Sequence, residues 1–267
     1  MEQNVMLAFA LTTLAGLSTG VGSALAFFTR RTNRRFLAAS LGLSAGVMIY
    51  VSFVELFTLA REYFSRSSSK VQAEWFTAVS FFVGMMFMAV IDRLVPAWEN
   101  PHEPRTVESM DAPAGDRRDL HRVGLFAALA IAIHNFPEGL ATFASTLSDA
   151  RVGVSVAVAV AIHNIPEGIA VSVPLYFATG QRSRAFWLSF ASGLSEPLGA
   201  VAGYLVLRPF LDDSVLGALF AGISGIMVFI SLDELLPAAR EYGEGHVAIY
   251  GVIAGMAVMA LSLLLGR

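Results

Sequence analysis

Cysteine is absent from the chain, which excludes disulfides and thiolate metal ligands. Charge is scarce: 15% of residues are charged, where an ordinary soluble domain carries about 25%. That is too little to give 267 residues a wet surface. Lysine is nearly missing, since 17 of the 18 basic residues are arginine and Lys70 is the exception. There is no basic excess either, the formal net charge being −3, so nothing points to nucleic acid. The first apolar block has no basic flank and is too long for a cleaved signal peptide, and it reads as a first helix.

What the chain has instead is apolar length. Hydrophobic residues make up 55% of it, with a mean hydropathy of +0.64. They fall in eight blocks: Val5–Phe28, Phe36–Ala60, Trp75–Ile91, Val123–Leu147, Val152–Thr179, Phe186–Leu207, Val215–Ser231 and Val247–Leu265. About 20 apolar residues at about 1.5 Å rise cross a hydrocarbon core. Membrane strands would alternate polar and apolar residues in shorter segments, and these blocks do not. The expected class is an all-α integral membrane protein with eight transmembrane helices.

Arginine placement orients it. With the N-terminus outside, inward segments hold 12 basic residues and outward segments 6. Cytoplasmic loops carry that excess, so both termini are expected outside. The longest polar stretch, about 96–121, reads as a flexible cytoplasmic loop within a single transmembrane domain covering 1–267.

The blocks repeat. Gly46–Tyr63 laid over Gly225–Tyr242 gives 9 identities in 18 positions, including Ser52/Ser231 and Glu55/Glu234. Helix 1 echoes helix 6 through Gly16-Leu17-Ser18 and Gly193-Leu194-Ser195, and helix 3 echoes helix 8. Helices 4 and 5 repeat each other from Arg122 and Arg151 onward. Paired helices run in opposite directions under the arginine topology. The repeats are therefore inverted, a 3+2+3 bundle with helices 4 and 5 central. Inverted repeats are a transporter signature, because two halves can exchange conformations around one midplane site. Duplication that left symmetry in a non-transporting protein is the other reading.

The chemistry sits in those central helices. Helix 4 holds His134-Asn135-Phe136-Pro137-Glu138-Gly139, and helix 5 holds His163-Asn164-Ile165-Pro166-Glu167-Gly168. His and Glu stand four apart in each and share a helix face. One nitrogen and one oxygen ligand from each helix make a set suited to zinc or its neighbours, with Asn135 and Asn164 beside it. Each proline removes an N–H and kinks its helix, which membranes tolerate only where protein or a wet cavity satisfies the freed carbonyl. Both motifs lie roughly 20 Å below the outer end. Glu196, followed by Pro197, is mid-block in helix 6. Buried charges cost roughly 2.5–3.5 kcal/mol each on insertion scales, and a divalent cation would offset them. Two helices glued by His, Asn and Glu hydrogen bonds is the bland alternative, and duplication at matched depth argues against it.

Other candidates are weaker. Glu55, and Glu234 with Asp233, could line routes to and from the centre, or snorkel to headgroups with Arg61 and Arg240. Asp92 reads as the latter. His102, Glu103, His121 and His246 read as solvated, and Met85, Met86 and Met88 as helix packing.

The paired His-Asn-x-Pro-Glu-Gly motifs, the eight helices and the loop after helix 3 resemble the ZIP metal transporters, nearest to the bacterial ZupT/GufA-like branch. The resemblance spans essentially the whole chain. It implies a 3+2+3 fold, usually a homodimer in the lipid bilayer. Such a protein brings Zn²⁺, and often Fe²⁺, Mn²⁺, Co²⁺ or Cd²⁺, into the cytoplasm through the bacterial inner membrane, with no cofactor beyond the cargo ion. It also implies one metal site from His134, Glu138, His163 and Glu167. A second would come from Asn135, Asn164, Glu167 and Glu196, with Glu167 bridging. Some relatives carry Gln and Asp where this chain has His163 and Asn164, which leaves the second site less negative here.

The expected mechanism is alternating access or a gated pathway around these sites, at moderate affinity. A metal-dependent intramembrane hydrolase would need an open metal position and a separate general base, as in His-Glu-x-x-His, and that pattern is absent. A metal sensor would carry a soluble output domain. The expectation is therefore a transporter, not an enzyme.

Overall fold

The computed structural model describes residues 2–28, 33–94, 117–179, 181–207, 209, 212–243 and 246–265. Among the described residues there is no strand. The helices are α1 (Glu2–Phe28), α2 (Arg34–Ser67), α3 (Lys70–Leu94), α4 (Arg117–Ser148) and α5 (Ala150–Thr179). They continue with α6 in two halves (Arg182–Gly193 and Ser195–Leu207), α7 (Asp213–Tyr242) and α8 (Val247–Leu265). Most of the loop expected at 96–121 lies outside the described residues, and α4 already begins at Arg117.

Short polar residues set the helix starts. Asn33 Oδ1 accepts the Phe36 N–H at 3.1 Å, and Asp212 Oδ1 accepts that of Val215 at 2.8 Å. Ser69 and Gln72 form a reciprocal capping box at the head of α3. Asp149 alone separates α4 from α5, and its carboxylate caps α5 through the Arg151 N–H at 2.7 Å. That is where the hairpin was expected from sequence.

Among the described residues six segments are long and apolar enough to cross a bilayer: Asn4–Leu25, Arg34–Ser67, Lys70–Leu94, Ala150–Ile169, Asp213–Tyr242 and Val247–Leu265. Two of the eight blocks fall outside that set. The fourth runs through residues whose side chains lie outside the described ones. The sixth is not one helix, because α6 breaks at Leu194. Pro197 explains the break: it has no N–H for the Gly193 carbonyl, and the Leu194 N–H turns to Ala191 O at 3.2 Å, three residues back.

Burial is inverted relative to a water-soluble protein. Trp75, Phe76, Val79, Phe82, Val83, Met86, Phe87 and Val90 leave much of α3 apolar and exposed, whereas Thr12, Thr19, Ser23, Ser44, Ser52, Thr142 and Ser224 are buried. Lipid removes the penalty for the first, and small polar residues let helices approach closely for the second.

Two groups of helices result. α1, α4, α5 and α6 pack on one another, and so do α2, α3, α7 and α8. They meet mainly where α2 and α8 lie along α5 and where α7 lies along α4. Among the described residues polar contacts cross at Ser44, whose Oγ donates to His163 O at 3.3 Å, at the paired hydroxyls of Tyr63 and Ser148, 2.7 Å apart, and at Ser155 and Ser262, each hydroxyl 3.4 Å from the other's carbonyl oxygen.

The repeat seen in sequence has a structural counterpart. Ser52–Leu56 in α2 and Ser231–Leu235 in α7 are each one π-helical turn, closed by Phe57 N–H to Ser52 O and by Leu236 N–H to Ser231 O. Such turns recur at functional positions. In α7, Pro237 cannot donate to Asp233 O, which accounts for the widened turn. Thr58 holds the matching position in α2, and no proline explains that one.

Candidate metal centre

Pro137 and Pro166 lie inside α4 and α5, and each kink rests on a different neighbour. On α4, a β-carbon at Gly139 would fall 2.5 Å from the Glu196 Cα, and one at Gly199 of α6 would meet Phe136 O. On α5, Gly168 lies in the same way against Thr19 of α1, and Gly22 of α1 against Ile165. Only glycine admits backbone this close. Two buried hydroxyls steady the second kink: Ser23 and Ser189 pair at 2.6 Å, with Thr19 O 2.8 Å from Ser23 Oγ and Gly168 O 3.3 Å from Ser189 Oγ as the acceptors beside them.

The packing of α4 on α5 brings Glu138, His163 and Glu167 together, with one ligand atom from each within 4.8 Å of the others. His163 Nε2 stands 3.1 Å from Glu138 Oε2 and 4.0 Å from Glu167 Oε2. All three are buried, at 2%, 0% and 4% exposure for His163, Glu138 and Glu167. The His134 side chain lies outside the described residues.

Asn135, Asn164 and Glu196 form the next layer, each fully buried. Asn164 Nδ2 donates to Ala15 O at 2.9 Å and to Glu196 Oε1 at 2.5 Å, and Asn135 Nδ2 donates to Ser192 O at 3.5 Å. Those donations turn both amide oxygens away from the backbone. Asn135 Oδ1, Asn164 Oδ1 and Glu196 Oε2 then have no hydrogen-bond partner. Leaving a buried acceptor unsatisfied costs about 1–3 kcal/mol, and a cation is the partner these oxygens match.

The remaining candidates are not among the three residues whose ligand atoms converge. Glu55 and Glu234 are buried on the two π turns, and Asp233, also on the second, is exposed. Asp92 is half-buried near the end of α3. His246 is exposed, its ring 6.1 Å from that of Tyr250. His102, Glu103 and the His121 side chain lie outside the described residues. Sequence reasoning passed over the α1 cradle. The Gly16-Leu17-Ser18 echo of helix 6 was the available signal, and it was read only as a repeat.

Comparison with known proteins adds a separate finding. A family model described as ZIP Zinc transporter matches residues 99–263. The chain is 62% identical to the zinc transporter ZupT of Nitratidesulfovibrio vulgaris, over 99% of this chain and 98% of that protein. It is 58% identical to the protein of the same name from Lysinibacillus sphaericus, over 99% of each. It is 62% identical to that of Chlorobium luteolum, over 98% of each.

Proposed function

The chain belongs to the ZIP family of integral membrane proteins, and from that premise we propose that it carries Zn²⁺ into the cytoplasm across a bacterial inner membrane. The observation that carries the reading is the buried Glu138–His163–Glu167 cluster on two proline-kinked helices inside an apolar exterior.

The cargo ion sheds water and is held by His134, Glu138, His163 and Glu167, which offer two nitrogens and two carboxylates. This is a donor set for Zn²⁺ that also accepts Fe²⁺, Mn²⁺, Co²⁺ and Cd²⁺. Asn135, Asn164 and Glu196 form a second position that shares Glu167. The unpartnered oxygens of these three residues support it. Glu55, Asp233 and Glu234 line the approach and the exit, and two of them lie on π turns in matching places of the repeat. The eight-helix 3+2+3 bundle, both termini outside, works as a homodimer. The ion moves as the α1, α4, α5, α6 group shifts against the other, and the closer packing within each group than between them supports that division.

The test is uptake into liposomes loaded with a metal-sensitive dye, comparing the unmodified chain with His134→Ala, His163→Ala and Glu167→Ala. Saturable Zn²⁺ uptake, lost in all three variants while they remain folded, is expected. A well-folded unmodified chain that admits no divalent metal would overturn the proposal and turn attention to hydrolysis.

A further inference from the structure

The cradles of the two kinks are copies of each other. Gly16, Leu17, Ser18 and Gly22 of α1 fall on Gly193, Leu194, Ser195 and Gly199 of α6. The same overlay places Ala15 on Ser192 and Thr19 on Glu196. In α4 and α5 it pairs Asn135 with Asn164 and Gly139 with Gly168.

The contacts obey this pairing one by one. Asn164 donates to Ala15 O, and Asn135 to Ser192 O. Ser18 Oγ donates to Ala15 O at 2.6 Å, and Ser195 Oγ to Ser192 O at 2.6 Å. Gly168 lies against the Thr19 backbone, and Gly139 against that of Glu196. A β-carbon placed on Gly16 would stand 3.4 Å from Glu196 Cβ, and one placed on Gly193 would stand 2.9 Å from Thr19 Oγ1. The centre therefore has a two-fold arrangement in which a carboxylate is matched by a hydroxyl. Asn164 donates to the carboxylate of Glu196, and the overlay assigns the corresponding place on the Asn135 side to the hydroxyl of Thr19.

That hydroxyl is fully buried and has no hydrogen-bond partner, a condition it shares with Thr12 and Thr142, whereas Thr146 donates one turn back to Thr142 O at 2.7 Å; what singles Thr19 out is its place opposite Glu196 in the overlay. Asn135 Oδ1, also fully buried, shares that condition. Both residues dock on the same stretch of α6, Asn135 on the Ser192 carbonyl and Thr19 beside Gly193.

We propose that Thr19 is a metal-facing residue, the counterpart of Glu196, lending a neutral oxygen to the divalent cation on the Asn135 side. The inference rests on the metal-centre reading above and deepens it. Two buried oxygens without hydrogen-bond partners belong to residues that dock on neighbouring positions of α6, and a cation between them would satisfy both while its ligands add no further buried negative charge.

The test is the Zn²⁺ dissociation constant of the purified full-length chain in detergent, measured by competition with a chromophoric chelator. Thr19→Val keeps the shape and removes the oxygen, and it should weaken binding roughly 10-fold, on the scale of losing an outer metal partner. Thr19→Ser keeps the oxygen and loses a methyl group, and it should bind like the unmodified chain. Thr19→Asp supplies the carboxylate that the symmetry lacks and should bind more tightly. A packing role would reverse the first two results, since Val fills the space that Ser leaves open. Unchanged binding in Thr19→Val, or weakened binding in both Ser and Asp variants, overturns the proposal while the metal centre stands. No Zn²⁺ binding by the unmodified chain overturns the centre, and this assignment with it.

Discussion

Replacing Glu167 with glutamine should move stability in opposite directions with and without metal. The substitution keeps the side-chain size and removes one charge. It also leaves the closer contact, His163 Nε2 to Glu138 Oε2 at 3.1 Å, in place. The ligand oxygens of Glu138 and Glu167 lie within 4.8 Å of each other. Two like charges at that separation repel by about 3.5 kcal/mol at an effective dielectric of about 20, which sets the scale of the relief. Metal-free Glu167→Gln should therefore unfold at a higher temperature than the unmodified chain. With Zn²⁺ the balance shifts. A bound ion stabilises by RT ln(1 + [L]/Kd), about 4.1 kcal/mol at a thousand-fold excess over Kd. A 100-fold weaker site forfeits about 2.7 kcal/mol of that. The assay is thermal unfolding in detergent, followed by tryptophan fluorescence, in EDTA and in saturating Zn²⁺. The metal-dependent rise should shrink in the variant while its EDTA midpoint goes up. An EDTA midpoint that falls, together with an undiminished Zn²⁺ shift, would refute the reasoning, because Glu167 would then be a structural group outside the centre.

Two further outcomes follow from the same geometry. Gly168→Ala would drive a β-carbon into the Thr19 backbone and push α1 from α5, costing on the order of 1–3 kcal/mol and loosening Zn²⁺ binding; an unfolding midpoint and Kd equal to the unmodified chain's would show that the approach is dispensable. Lowering the pH through about 6.5, where a free imidazole takes up its proton, should weaken Zn²⁺ uptake, since the metal needs the neutral ring. Uptake stimulated by acid would contradict simple competition and indicate coupling to protons.

The amino-acid sequence by itself determined the membrane class, the two matched His/Asn/Glu motifs and the pairing of α2 with α7. Those follow from local properties: apolar length sets what crosses a bilayer, a four-residue spacing places two side chains on one face, and proline withholds a donor wherever it stands. Its limits are equally physical. Spacing along a helix records face and depth but not the neighbour, so only the packed structure decided that Glu196 reaches Asn164 and that α1 cradles Pro166. A glycine announces close approach without naming the backbone that approaches. The π turns at Ser52 and Ser231 leave no periodic signature, because segments this apolar carry no sharp polar face whose one-residue shift in register would show. The eight apolar blocks likewise hid the break at Leu194, since lipid rewards hydrophobicity whether or not the helix through it is continuous. Thr19 shows the division most clearly. Alone in sequence it is an ordinary threonine in an apolar helix, and only the two-fold packing of the cradles sets its hydroxyl opposite a carboxylate.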